Sequence, residues 1–344
     1  LYAKKVENAY KMSIFISIAS YQDPLLTATI YSAYINAKNK NDLVFSICDQ
    51  SDKGINISGF EFTNQIHYEH VDPTLSRGPC WARSRAQKLF KAEDYFLQID
   101  SHTLFDTDWD IILKNQLKKI SLESENNTYF EKPIITSYPR PFNIIDFEKG
   151  KFELDNRDKH TQVITFREDS LFSNGSFSRQ IGVPTKSKNI THAMLMAAGF
   201  IFTKGSFIEE IPYDPNYYFY GEELSMTLRS FTRGYSLFHI PDVPLFHLYT
   251  DVSELRRKLH WDQEDDKNRA IKWKELDKKS LNRLNALFAG NVEEPLNLGN
   301  KRSLKDYAFI SGMDLKNNLV LDFDKATKSN FLESIDWKIS PLGE

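Results

Sequence analysis

Asp100 and His102 stand one residue apart, directly after the apolar run Tyr95-Phe96-Leu97-Gln98-Ile99. On extended backbone, residues i and i+2 point to the same side. The two side chains can therefore converge on one cation at the carboxyl end of a strand, where open α/β sheets place their ligands. A divalent cation bridging a diphosphate takes about six ligands, two or three of them from protein. His247, within VPLFHLY, is the third candidate, and His67, His70, His160, His192, His239 and His260 rank below it. The plainer alternative is a polar turn capped by Asp100 and a core histidine at 247.

Other residues carry chemistry around this pair. Arg83 and Arg85 fall on a helix expected over Trp81 to Ala92, which leads straight into the Tyr95 strand. An arginine there can reach a diphosphate or the carboxylate of Asp100. Ala197-Ala198-Gly199 puts three small residues inside a strand expected over His192 to Thr203, a pattern that marks close approach of a ligand or another backbone. Glu222-Glu223 opens a helix ending near Arg233. That charge complements the helix dipole. Asp106, Asp108 and Asp110 are assigned to capping and solvated positions.

These residues need a scaffold. Ser13 to Ser20 (SIFISIAS) reads as a first strand, Asp23-Pro24 as the cap and first position of a helix through Ala37, and Asp42 to Cys48 as a second strand. This β-α-β opening is the unit of a parallel, nucleotide-binding sheet. GxGxxG and GxxxxGK[ST] are both missing, which argues against a dinucleotide fold and a P-loop NTPase. Further strands are expected at 66–71, 133–138, 161–167, 235 onward and 243–249. Helices are expected at 108–121 and 224–233. A charged excursion separates the strands at 133–138 and 161–167, and Ser173 to Thr191 reads as a long loop. From Asp251 the chain becomes highly charged with helical spacing of its apolar residues, predicting a helical tail packed on the sheet.

The bulk composition fits a large globular protein: 344 residues, 41% hydrophobic, 26% charged, net charge −3. No overall basic field invites nucleic acid or anionic lipid, and no segment approaches the roughly 20 apolar residues of a membrane span. The only cysteines, Cys48 and Cys80, lack metal-knuckle spacing and fit a reducing compartment, so a cytoplasmic location is expected. Sequons beginning at Asn56, Asn126, Asn174 and Asn189 are read as chance in an Asn-rich chain. The expected organisation is a helical lead-in at 1–12, a catalytic α/β domain at 13–250 and a helical extension at 251–344. The lead-in looks cut within an element, so other domains of a longer chain are expected.

Taken in order, SIASYQDP at 17–24, GPCWARSRAQKLF at 78–90, LQIDSHTLFDTDWD at 97–110, AAGF at 197–200, IPYDPNYYFYGEE at 211–223, PLFHLY at 244–249 and LGNKRSLKDY at 298–307 resemble one family. It is that of the cytoplasmic hydroxyproline N-acetylglucosaminyltransferases and their bacterial relatives, retaining GT-A glycosyltransferases. The resemblance runs from about Ser13 to Asp314. A more distant one, to the polypeptide N-acetylgalactosaminyltransferases, implies roles residue by residue. Asp100 and His102 would hold Mn²⁺ (or Mg²⁺) with His247, and Asp100 with Ser101 would meet the ribose end of a UDP-sugar. Ala19 and Tyr21 would hold uracil and ribose with Asp49 nearby, and Arg83 would approach the diphosphate. Gly199 would border the donor. Glu222 would contact the donor sugar, with Glu223 beside it where the distant family has Asn, and Arg229 would close the matching helix pattern.

The resemblance implies a GT-A fold with a mostly parallel central sheet flanked by helices. It also implies metal-dependent, retaining transfer of an N-acetylhexosamine, with UDP-GlcNAc the expected donor. The acceptor would be a hydroxyl of a bacterial surface glycan or a hydroxylated protein, and 173–191 and the tail after 251 are expected to form its cleft. Two other readings stand beside this: a catalytically silent carbohydrate-binding or scaffold module, and a metal phosphoesterase.

Overall fold

The computed structural model describes residues 12–156, 159–171, 179–250, 255–329 and 335–343. The elements are β1 (Ile14–Tyr21), α1 (Leu26–Asn36), β2 (Leu43–Gln50), β3 (Ile66–Val71), α2 (Pro79–Gln87), β4 (Tyr95–Asp100), β5 (Thr103–Phe105), α3 (Trp109–Glu123), β6 (Lys132–Thr136), β7 (Arg140–Asp146), β8 (Lys151–Leu154) and β9 (Gln162–Phe166). They continue through β10 (Gln180–Pro184), β11 (Thr191–Ala193), β12 (Phe200–Lys204), α4 (Phe207–Glu210), α5 (Glu222–Thr232), β13 (Tyr235–His239), β14 (Leu245–His247), α6 (Gln263–Asn268), α7 (Trp273–Ala289), α8 (Leu304–Ser311), β15 (Met313–Asp314), β16 (Leu319–Val320) and α9 (Phe323–Thr327).

Eight strands build the central sheet in the order β11-β13-β6-β12-β4-β1-β2-β3. β1 lies parallel between β2 and β4, and β3 continues parallel beyond β2. The first strand, IFISIASY, is buried along nearly its whole length, as a strand covered on both faces must be. Chain order runs outward from β1 in both directions, so the carboxyl ends of β1 and β4 form a topological switch point, and Ala19 is registered against Asp100 there. On the other flank β12 runs antiparallel between β4 and β6, and β13 returns parallel to β6.

A second sheet, β5-β14-β7-β8, stands at the rim of the first. β14 pairs antiparallel with β5, placing His247 opposite Thr103, and parallel with β7, placing Phe246 opposite Arg140. The charged excursion after β6 is thus the β7–β8 hairpin, signalled by alternating Phe142 and Ile144 and by Gly150 at φ 61°.

Other sequence expectations shift. The strand expected over 192–203 is two strands, interrupted at the small residues, because Ala197-Ala198-Gly199 give no branched surface for a ladder. The expected loop at 173–191 contains β10, paired antiparallel with β9; its residues 173–178 lie outside the described residues, as do 1–11 of the expected lead-in and 251–254 of the tail. α2 begins at Pro79 and ends at Gln87, earlier than expected at both ends. Asp110 is not solvated: it is fully buried and accepts from the backbone amides of Lys38 and Asn39 at 2.8 and 3.0 Å. Leu25, not Asp23, occupies the cap position of α1.

The tail shares the main core. Leu284, Leu287 and Tyr307 cluster with sheet residues such as Phe96, Phe202 and Phe238. Trp337 stacks on Phe238 at 5.7 Å between ring centroids. Arg302, nearly buried, donates to the carbonyls of Tyr235 and Gly234 at 2.8 and 3.1 Å.

Candidate active site

The turn after β4 is fixed from beneath by α1. The buried Thr29 hydroxyl donates to the Ser101 carbonyl at 2.7 Å and accepts from the Thr103 amide at 3.0 Å. Asp23 fixes it from the side: one carboxylate oxygen lies 2.6 Å from His102 Nδ1 and accepts from the Ser101 hydroxyl at 2.8 Å. The other oxygen accepts from the Leu25 amide at 2.9 Å. Burial opposes the Asp23 charge, but these partners hold its carboxyl below the usual range. With Nδ1 engaged, His102 offers Nε2.

β14 delivers the third candidate ligand. His247 Nε2 lies 3.1 Å from Asp100 Oδ2, and the two imidazole rings are 4.6 Å apart. Ligand atoms of Asp100, His102 and His247 lie within 4.8 Å of one another, the one such group among the described residues. The donor set fits a divalent cation: one carboxylate and two imidazoles, one imidazole oriented by a carboxylate behind it. His247 Nδ1 is a buried nitrogen without a hydrogen-bond partner. Burial lowers the His247 pKa, keeping the ring neutral as a ligand must be.

Arg83 spans the floor. Its guanidinium, 3% exposed, pairs with Asp100 Oδ1 at 2.6 Å and with Glu222 at short range through its other terminal nitrogen. Burial works against the Asp100 charge, but His247, Arg83 and His102 outweigh it and hold the carboxyl well below its usual range. Glu222 goes the other way, because burial outweighs the pull of Arg83. Glu223, half-buried, is pushed up to about 7 by desolvation, against the hydrogen bond from the Ala198 amide at 3.0 Å. Gln180 donates to its other oxygen.

Gly199 makes room for this arrangement: a Cβ there would lie 2.7 Å from Asp100 Oδ2.

These groups face a cleft of about 310 Å³. Ala19, Tyr21, Arg83, Asp100, Ser101, His102 and His247 line it. Gly199, Glu222 and Glu223 lie behind that lining. Asp49 lies outside the lining too: it is buried and accepts from the Tyr68 hydroxyl at 2.7 Å, while the next residue, Gln50, faces the cleft. Arg229 is fully buried and donates to the Pro295 carbonyl at 3.1 Å, remote from the metal cluster.

A family model described as Glycosyltransferase (GlcNAc) matches residues 57–314. The chain belongs to the glycosyltransferase (GlcNAc) family. Among solved structures, this glycosyltransferase is similar to GalNAc-T7 crystallised with UDP, GalNAc and Mn²⁺: TM-score 0.55, 14% identity, covering 86% of this chain and 56% of that one. The chain thus spans about half the length of that protein, and the likeness shows the GT-A fold. TarS 1–349 of S. aureus, in complex with UDP, aligns with TM-score 0.40 and 12% identity over 81% of this chain and 72% of that one. No curated protein matches.

The tail after 251 was expected in the acceptor's cleft; its residues 257–261 instead line the same cleft as Ala19, Tyr21 and the Asp100 cluster. Arg257, Lys258, Leu259, His260 and Trp261 form one continuous run of its lining. His260 is held there by Tyr218 and Ser76, at 2.8 and 2.9 Å, and its ring lies 4.9 Å from that of Tyr21. Arg269 donates to the Tyr21 hydroxyl at 2.8 Å. The clustered basic and aromatic residues of LRRKLHW were the available signal, but the helical spacing expected there pointed to a packed tail. Asp23 was hidden by its neighbour, since Asp-Pro reads first as a helix start.

Proposed function

We propose that the protein transfers an N-acetylhexosamine from a UDP-sugar to a hydroxyl acceptor, with retention of configuration and with Mn²⁺ held by Asp100, His102 and His247. The observation carrying this reading is the convergence of those three side chains with Arg83, itself paired with Glu222 behind the lining, at one strand-end cleft. UDP-GlcNAc is the proposed donor, in keeping with the family's description, while the GalNAc-T7 complex makes UDP-GalNAc the comparison to run. Two imidazoles favour Mn²⁺ over Mg²⁺, which prefers an all-oxygen shell.

When bound, the cation would neutralise charge on the departing diphosphate as a Lewis acid. The chain's own residues do the rest. Ala19 and Tyr21 receive the nucleoside at the β1 end, with Asp49 one strand away, and Ser101 faces the ribose. Arg83 holds Asp100 ionised and in place, and adds positive charge beneath the phosphates. Lys258 and Arg257, also on the cleft lining, add to it. Glu222 and Glu223 position the donor sugar, and the enclosed Glu222 sets negative charge where an oxocarbenium-like centre develops. The acceptor proton passes to the leaving phosphate, so no protein nucleophile is required.

The acceptor in this reading is a surface glycan or a hydroxylated protein. Residues 13–250 carry the transferase fold and 251–344 form an extension closing the donor cleft. The two cysteines, buried free thiols, suit a reducing, cytoplasmic setting. No helix among the described residues is long and apolar enough to cross a membrane.

The decisive experiment is UDP release from UDP-GlcNAc and UDP-GalNAc with and without Mn²⁺, beside calorimetric titration of UDP. Asp100→Ala and His102→Ala should abolish metal-dependent UDP binding and turnover while the far-ultraviolet circular dichroism stays unchanged. Folded protein that neither binds UDP with Mn²⁺ nor releases it from either donor would sink the enzyme reading and favour the silent binding module. Hydrolysis of a simple phosphoester without a sugar donor would favour the phosphoesterase.

A further inference from the structure

Gln50, Ser76, His260 and Tyr218 are buried beside Tyr21 and form a chain of hydrogen bonds. Gln50 is registered against Tyr21 across β1 and β2, and the His260 ring lies 4.9 Å from the Tyr21 ring. The chain has a direction, and a backbone carbonyl sets it. Gln50 Nε2 donates to the Ser20 carbonyl at 2.8 Å, a group that can only accept. Gln50 Oε1 is therefore the atom turned to Ser76, whose hydroxyl gives it its single proton at 2.5 Å. The Gly78 amide, which can only donate, approaches the same Ser76 oxygen at 3.3 Å. Ser76 Oγ has no proton left for His260, so His260 Nε2, 2.9 Å away, is the donor of that pair.

Burial and the charge of Arg269 hold the His260 pKa down to about 3, so the ring is neutral and carries one proton. With that proton on Nε2, Nδ1 accepts, and the Tyr218 hydroxyl donates to it at 2.8 Å. Burial raises the Tyr218 pKa, which keeps that proton in place. Both ring nitrogens of His260 are thereby committed to the protein, and neither is left for a ligand.

The chain joins separate stretches of the cleft lining. Ser20 and Gln50 lie at the ends of β1 and β2, Gly78 and Pro79 at the start of α2, Phe219 next to Tyr218, and Arg257 to Trp261 in the extension. Gly78 packs so closely on Tyr218 that a Cβ there would lie 2.6 Å from the ring. Through His260 the run from Arg257 to Trp261 is tied to the ends of both strands.

We infer that His260 is a positioning residue for the donor nucleotide: as the Nε2–H tautomer it locks the extension's part of the cleft lining to the β1 and β2 ends, and so sets the width of the cleft beside Tyr21. The assignment rests on the transferase reading above. It predicts weaker donor binding rather than slower chemistry, since the metal cluster and Glu222 are held by other contacts.

The test begins on the full chain labelled with ¹⁵N-histidine, where long-range ¹H–¹⁵N NMR reads which ring nitrogen carries the proton. The His260 signal is the one absent from His260→Phe and shifted in Tyr218→Phe. A neutral Nε2–H ring is expected, and an Nδ1–H or charged ring at neutral pH overturns the inference. UDP is then titrated calorimetrically in the presence of Mn²⁺ into the unmodified chain and both variants, and turnover of UDP-GlcNAc is followed as UDP release. His260→Phe should weaken UDP roughly tenfold, the scale of a lost buried hydrogen bond. It should raise KM by a similar factor with kcat within about twofold, while Mn²⁺ affinity measured without nucleotide stays unchanged. Tyr218→Phe deletes one hydroxyl and keeps the ring, so it should move the same quantities the same way by a smaller factor, and it carries the test if His260→Phe does not fold. Unchanged UDP affinity in the folded variants overturns the inference, as does a fall in kcat with KM unmoved or an equal loss of Mn²⁺ affinity. Absence of UDP binding by the unmodified chain counts against the transferase reading and removes this assignment with it, so a failure confined to the variants is distinguishable.

Discussion

Asp23 illustrates how a residue outside the proposed ligand set would govern it. Its carboxylate holds His102 by Nδ1 and the Ser101 hydroxyl by the same oxygen. Asp23→Asn keeps an acceptor for the Leu25 amide but loses the charge behind the imidazole. Mn²⁺ affinity, read by calorimetry, should fall about 10- to 100-fold with little change in melting temperature. Glu223 predicts a pH effect of defined sign. Its folded pKa, about 7, is raised above that of an exposed carboxyl, so the fold holds a proton that the unfolded chain releases. Its contribution to stability is intact below about pH 4 and is lost as pH rises through 7. Glu223→Gln should therefore stabilise the protein by about 1–3 kcal/mol at pH 8 and hardly at all at pH 4.5, measured by urea denaturation. The glutamine also suits its neighbour, because Gln180 Oε1 is buried without a donor. Glu222→Gln, beside Arg83, should lower turnover far more than UDP affinity, as kcat and a UDP titration would show.

At the scale of elements, the break between β11 and β12 exists to seat Asp100. Gly199→Ala would set a Cβ against Asp100 Oδ2, so Mn²⁺ affinity should drop at least roughly tenfold in calorimetric titration while the sheet core, and hence the circular dichroism, is preserved. The elements also show what can be read from a chain and what cannot. The strand-helix-strand opening and the Asp100–His102 pair are local patterns, and they were legible because apolar runs and i, i+2 geometry are written in neighbouring residues. His247 was legible only as a candidate: its meeting with His102 depends on β14 pairing with β5, a contact spanning over a hundred residues that no periodicity encodes. The β7–β8 hairpin and β10 were read as an excursion and a loop because polar, half-buried strands carry a weak alternation. The wall at 257–261 was legible only as part of a tail expected in the acceptor's cleft, since its spacing suits a packed helix as well as it suits a cleft.

For the whole molecule, the extension is part of the fold rather than an ornament. Leu284, Leu287 and Tyr307 share the main core, and Arg302 closes backbone groups at the start of β13. A chain ending at residue 250 should lose this burial and fail to fold cooperatively, as limited proteolysis and a broad or absent thermal transition would reveal. A sharp transition in that truncated chain would show instead that 13–250 stands alone.

Tyr21 lies on β1, yet Arg269 and His260, which hold and flank it, are encoded after β14. During vectorial synthesis all three candidate ligands have emerged with β14, whereas the cleft wall and the segments that complete the core arrive only later. A nascent chain stalled after β14 would therefore carry the ligands without the fold that brings them together, and cation and nucleotide binding should appear together on stalled ribosomes once the extension has emerged.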